Sequence, residues 1–188
     1  MEKQEIPLFI EGQNVYLIPQ SSERVNLYIK WINDPKVRKY SRNILPITVD
    51  DAKGWFEPQE GRVRNFIVLE IWHKKDNKPV GHTFLTDIDW VNGWANVGMT
   101  IGEPDYWNKN IATEVTDLII EYAFSELNLH KLHAGAIVAN IGSWTVAEKR
   151  GFTFEGIRKD ELFVDGEYVD VKTYYLLKDE WRERSKRR

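Results

Sequence analysis

The sequence predicts an α/β (α+β) fold: a single domain with a central mixed, mostly antiparallel β-sheet flanked by helices. Three observations carry this. Strand-like segments from Asn65 to Ile101 are separated only by short turns, one of them the hairpin signal Asn92-Gly93, which makes a meander. An amphipathic helix then runs from Ile111 past Ala123 and leads into a further strand, so the strands on either side of it are expected to pair in parallel. Finally, Asp165-Gly166 between Glu161–Val164 and Tyr168–Leu177 marks a closing hairpin.

The elements follow in chain order. Val15 to Ile18 is a strand closed by Pro19. Ser21 or Ser22 caps a helix whose buried side carries Val25, Tyr28, Ile29 and Ile32. That helix ends at Asn33-Asp34-Pro35, because the residue before proline disfavours helix. A short basic segment, Lys36 to Arg42, is expected to be an irregular connection. Thr48 opens a second helix running to about Phe56 and stopped by Pro58. These two helices are placed to cover a substrate cleft, and Trp31, Tyr40, Trp55 and Phe56 are core candidates. The meander is Asn65–Trp72, Val80–Ile88 and Ala95–Ile101, with a turn at Asp76-Asn77-Lys78. Asn128 stops the long helix, and Leu132 to Ala139 is the next strand. Ser143 to Arg150 is a short helix stopped by Gly151. Phe152 to Phe154 and Glu161 to Val164 are strand segments.

Composition sets the bounds. The 188 residues suffice for one domain, with a core over about 14–178 and a basic tail over 179–188. Hydrophobic content of 42% and charged content of 29% are those of a globular protein. No apolar run reaches the roughly 18 residues of a membrane span, and the N-terminus lacks the order of a signal peptide. Cysteine is absent, which excludes disulfides and thiol catalysis, and the cytoplasm is the expected compartment. A net charge of -3 argues against nucleic-acid binding. The aromatic supply leaves room for a homodimer patch.

The most informative stretch is Gly98 to Glu114. A strand ends in a loop that feeds a helix N-terminus, where unpaired N–H groups and the dipole favour an anion such as phosphate. Lys109 adds a positive charge. The loop has Asn108 and Asn110 where a phosphate-cradling loop is usually glycine-rich, and asparagine tolerates the left-handed conformation such a loop needs.

On these residues the chain resembles the GNAT family of acetyl-CoA-dependent N-acetyltransferases. Within it, the chain looks most like the branch with the RimJ and RimL ribosomal-protein enzymes and the spermidine acetyltransferases. Trp31-Ile32-Asn33-Asp34-Pro35 is similar to that branch's early Trp-x-Asn-Asp signature. Ile101 to Glu114 is similar to the acetyl-CoA motif. Asn128-Leu129-His130-Lys131-Leu132, Asn140 to Ser143, Glu148 to Phe152, Glu155-Gly156 and Asp165 to Tyr168 complete the likeness in the family's order.

The resemblance implies a GNAT fold whose sheet splays at the acetyl-CoA site. Met99, Thr100 and Ile101 would pair with the pantetheine arm as an added strand would. Trp107, Asn108, Lys109, Asn110, Ile111, Ala112 and Thr113 would form the pyrophosphate loop. Asn140 would hold the arm, and Lys149 would meet a phosphate. Trp31 and Asn33 are the implied substrate contacts. Many members carry a tyrosine on the short helix as thiolate donor; Ala147 stands there, and Ser143, one turn earlier, matches the Asn-x-x-Ser motif of RimL-like members. Glu161 is the implied base, with Glu70, Asp87, Asp89, His82 and His133 as alternatives; Asn96 stands where the branch often has glutamate. No metal is called for.

The expected activity is transfer of an acetyl group from acetyl-CoA to an amine, most readily a protein or peptide N-terminus, by direct attack in a ternary complex. The competing expectations are a polyamine or other small amine as acceptor, a different acyl group, and a CoA-binding regulator that has lost turnover.

Overall fold

The computed structural model describes residues 7–41, 44–57, 61 and 63–186. Strands β1 (Ile10–Glu11) and β2 (Val15–Pro19) open the chain. Helices α1 (Val25–Asn33), α2 (Pro35–Ser41) and α3 (Val49–Lys53) follow. The meander is β3 (Ile67–His73), β4 (Lys78–Asp89) and β5 (Trp94–Ile101). Helix α4 (Ile111–Glu121) leads to β6 (Lys131–Ile137), then α5 (Ile141–Lys149), β7 (Thr153–Val164), β8 (Glu167–Leu177) and α6 (Lys178–Lys186). The eight strands form one sheet in the order β1-β2-β3-β4-β5-β6-β8-β7. Its pairs β1/β2, β2/β3, β6/β8 and β7/β8 are antiparallel, and β5/β6 is parallel, as the sequence predicts.

The β5/β6 pairing covers Trp94–Asn96 against Lys131–His133. Beyond that triplet β5 runs on to Ile101 and β6 to Ile137, the latter paired with β8 along its length.

The chain divides into two compact units. The first draws on Met1–Val63, Val68–Phe84 and Met99–Val115. Its core holds Val15, Leu17, Ile18, Tyr28, Trp31, Ile71 and Val80. The second draws on Arg64–Ile67, Leu85–Gly98 and Thr116–Arg188, with Leu85, Ile119, Ala123, Phe124, Leu132, Tyr174 and Leu176 inside.

Several local expectations need correction. The basic segment after Asp34 is a helix, α2: the Asp34 carboxylate accepts from the N–H groups of Lys36 and Val37 at 2.7 and 3.3 Å and so starts it. The buried residues of α1 are Tyr28 and Trp31, while Val25, Ile29 and Ile32 are only partly covered. Tyr40 and Trp55 are exposed. The segments around Phe154 and Glu161 belong to one strand, β7, whose register shifts twice against β8, the irregularity that hides its continuity in the sequence. The tail through Lys186 is helical: α6 packs Trp181 on Phe124 at 5.5 Å. The stop at Pro58 lies outside the described residues.

Candidate acetyl-transfer site

The first unit builds the loop between β5 and α4. Gly102 and Glu103 leave β5 with their N–H groups on the Val80 carbonyl, at 2.9 and 3.2 Å. A short helical turn at Pro104–Tyr106 follows, and Trp107 folds back to donate its indole N–H to the Ile101 carbonyl at 2.8 Å. Asn108 and Asn110 adopt φ of 59° and 61°, the left-handed shape that the sequence expects of them. Their two reversals bring the chain into α4, whose first helical bond runs from Glu114 N–H to the Asn110 carbonyl at 3.2 Å. The amides of Ile111, Ala112 and Thr113 thus form the first turn, at the positive end of the helix dipole. Asn108, Lys109 and Asn110 are exposed, and Met99, Thr100 and Ile101 are half-buried. Two left-handed asparagines, an exposed lysine and a helix N-terminus thus fall together, a combination suited to an anion.

Neighbouring side chains hold the loop. Glu114 accepts from the N–H of Asn14 at 2.8 Å, from its side-chain amide at 2.9 Å, and from the N–H of Val15 at 3.3 Å, tying the first turn of α4 to β2. Tyr106 donates its hydroxyl to Asp76, which also lies 2.9 Å from His73 Nδ1. Lys78 and Lys109 place their ammonium groups 5.0 and 5.1 Å from the Tyr106 ring centre. The Asp76 hydrogen bond, aided by burial, pushes the Tyr106 pKa up to about 12, so the phenol stays protonated. This Tyr106–Asp76–His73 cluster escaped the sequence reading, because Tyr106 lies 30 residues from Asp76 and nothing in the spacing connects it to the His73–Asp76 pair at the end of β3.

Trp31 is fully buried. Its indole N–H donates to Glu103 at 2.8 Å, and Lys30 donates to the same oxygen at 2.9 Å. A Cβ added to Gly102 would come within 2.2 Å of the Trp31 ring, so only glycine lets the indole lie on the end of β5. Asn33 is exposed and clasps Ile47, accepting from its N–H at 3.0 Å and donating to its carbonyl at 2.8 Å. Thr48 and Asp51 form a reciprocal capping box at the start of α3.

The second unit holds Asn140, Ser143, Lys149 and Glu161. Asn140 is the N-cap of α5, and its side-chain oxygen accepts from Ser143 N–H at 3.3 Å. Ser143 is exposed, and its hydroxyl has no partner among the described residues. Ala147 occupies the next turn of α5, as the sequence predicts, and Lys149 ends the helix in solvent. Glu161 lies on β7, exposed, with Arg158 at 3.2 Å.

The alternative bases are differently placed. Glu70 is buried, gripped by Arg24 Nε at 2.7 and 3.0 Å and by the Tyr28 hydroxyl; burial raises its pKa while Arg24 opposes the shift. Asp89 caps the turn after β4, and the hydrogen bonds from Asn92 lower its pKa. Asp87 accepts from Asn96 at 2.8 Å. His82 carries a buried Nδ1 with no partner, and burial pushes its pKa down to about 4. His133 is lowered by burial and by Lys131.

Residues 14–153 match the family model for the acetyltransferase (GNAT) domain. A Bacillus subtilis protein named ribosomal N-acetyltransferase YdaF, an assignment its name marks as provisional, is 38% identical over 166 residues, covering 88% of this chain and 84% of its own. The spermidine N(1)-acetyltransferase of Vibrio cholerae is 31% identical over 106 residues, covering 56% of this chain and 61% of its own. Among solved structures, a Vibrio cholerae spermidine N-acetyltransferase in complex with CoA and spermine superimposes with a TM-score of 0.82 at 21% identity, over 90% of this chain and 98% of that one. The fold, the β5–α4 loop and the sequence match agree: this chain belongs to the acetyltransferase (GNAT) family.

Proposed function

We propose that this N-acetyltransferase, which takes its acetyl group from acetyl-CoA, delivers it in the cytoplasm to the N-terminal α-amine of a protein or peptide. The observation that supports its acetyl-CoA part is the loop at Asn108–Asn110, whose two left-handed residues lead into the first turn of α4, a backbone shape suited to a pyrophosphate. The 38% identical relative named for ribosomal acetylation favours a protein acceptor over a small one.

Acetyl-CoA supplies an acetyl group activated as a thioester. In the transfer the amine nitrogen bonds the acetyl carbon, the carbon–sulfur bond breaks, the nitrogen loses a proton to a base and the sulfur gains one. Backbone groups at Met99 to Ile101 bind the amide-bearing arm, and the Ile111 to Thr113 amides with Lys109 bind the phosphates. Trp31 and Asn33 act on the substrate by holding the strand end and the Ile47 loop in place. Ser143, whose hydroxyl has no competing partner, gives the proton to sulfur, and Glu161 takes the proton from nitrogen. Asn140 and Lys149 complete the contacts to the arm and the phosphates.

The test is thiol release with peptides and polyamines as acceptors, with the product located by mass spectrometry. Acetylation of peptide α-amines supports the reading. A polyamine acceptor is the second reading, favoured by the spermidine enzymes among the relatives, and exclusive turnover of spermidine would establish it instead. Saturable acetyl-CoA binding without release to any acceptor would mark a CoA-binding regulator.

A further inference from the structure

The helical layer of the first unit carries exposed cations on α2. Its α1 lies on Gly102 through Trp31, at the end of the strand that leads into the cofactor loop, and α2 follows α1 directly. All three carboxylates from α1 to α3 are engaged within the layer. Asp34 caps α2, Asp50 pairs with Lys53 at 2.6 Å, and Asp51 closes the capping box with Thr48. Two carboxylates that contact α1 and the residue before it are engaged as well: Glu103 by Lys30 and Trp31, Glu70 by Arg24 and Tyr28.

Two cations of α2 are not balanced in this way. Lys36 and Arg38 are exposed, and neither side chain has an ion pair or hydrogen bond among the described residues. In a chain whose net charge is -3, this is a local excess of the opposite sign. A polyamine brings several ammonium groups, and its trailing charges would be repelled here. A peptide with carboxylates just past its N-terminal amine would be attracted over roughly a Debye length, about 8 Å at physiological salt.

We propose that the acceptor is an acidic peptide or protein segment, which docks its carboxylates on Lys36 and Arg38 of α2 and presents its N-terminal amine to the strand end beneath α1. This inference rests on the peptide-acetylation reading above and narrows it.

The experiment compares initial rates for three acceptors: a short peptide with Asp and Glu following its first residue, the same peptide with Asn and Gln instead, and spermidine. The acidic peptide should be favoured over its amide form by about tenfold in kcat/KM at low salt, the scale of two exposed ion pairs, and the preference should shrink as salt is added. The double variant Lys36→Glu/Arg38→Glu should abolish or invert that preference. If charge reversal compromises folding, Lys36→Gln/Arg38→Gln should still reduce it. Equal rates for the two peptides, or faster turnover of spermidine, would overturn the acidic acceptor while leaving acetyl transfer intact. Loss of acetyl-CoA affinity in the double variant would reassign α2 to the cofactor and overturn it too. No transfer to any acceptor would overturn both this inference and the reading beneath it.

Discussion

Single residues decide the shape of the β5–α4 loop and the packing close to it. Asn108 and Asn110 were legible in the sequence, because few other non-glycine residues accept a φ near +60°. The packing of Trp31 on Gly102 was not, since nothing in the local spacing of either residue points to the other. Gly102→Ala would drive a Cβ into a buried indole that has no room to move. We expect a loss of about 1–3 kcal/mol in urea unfolding, typical of an overpacked core. His82 gives a second expectation. Its pKa falls from 6.5 to about 4 on folding because of burial. Between those values the unfolded chain protonates this histidine and the folded chain does not. The stability it contributes is therefore complete above pH 6.5 and is lost as pH falls toward 4, by about 3 kcal/mol in all. In His82→Asn that part of the pH profile should be missing, and the difference between the two urea-derived profiles measures it. Identical profiles would mean that His82 is not buried as described.

Elements show where pattern reading succeeds and where it stops. Strand alternation, the Asn92-Gly93 and Asp165-Gly166 turns and the long apolar stripe of α4 are local signals, and each gave an element close to the one observed. Helix α2 was missed because proline at its start reads as a break, whereas Asp34 as its cap makes proline an acceptable first residue. The continuity of β7 was missed because its bulges interrupt the alternation. At the start of α5 the same residue has two assignments: Asn140 caps the helix through its oxygen, and the family likeness gives it the CoA arm. Two variants separate them. Asn140→Ala should cost about 1 kcal/mol of stability through the lost cap. Asn140→Asp keeps an acceptor for Ser143 N–H but lacks the amide donor, so it should retain stability while weakening acetyl-CoA binding, by about 1–2 kcal/mol for a lost hydrogen bond. If calorimetry finds acetyl-CoA affinity unchanged in Asn140→Asp, the amide does not contact the cofactor. Ser143→Ala should leave the melting temperature and acetyl-CoA affinity in place and lower kcat; an unchanged kcat would remove Ser143 as proton donor.

At the scale of the whole molecule, the family could be read from the order of motifs, because a mixed sheet with one parallel pair needs a helical crossover at one place in the chain. The order of the sheet beyond β6, where β8 lies between β6 and β7, has no local signal; it follows from long-range pairing of β8 with both. The proposed acceptor was the least legible part, since charge on α2 acquires meaning only once its neighbours' carboxylates are seen to be engaged. We propose the β5–α4 loop as a working acetyl-CoA site. Calorimetric titration of the purified protein with acetyl-CoA tests it most directly, repeated with Asn110→Val, whose β-branched side chain opposes the left-handed backbone at that position. We predict saturable one-to-one binding that weakens as salt is raised, and weaker binding still in the variant. Absence of binding to the native chain, or equal binding by the variant, would contradict the claim.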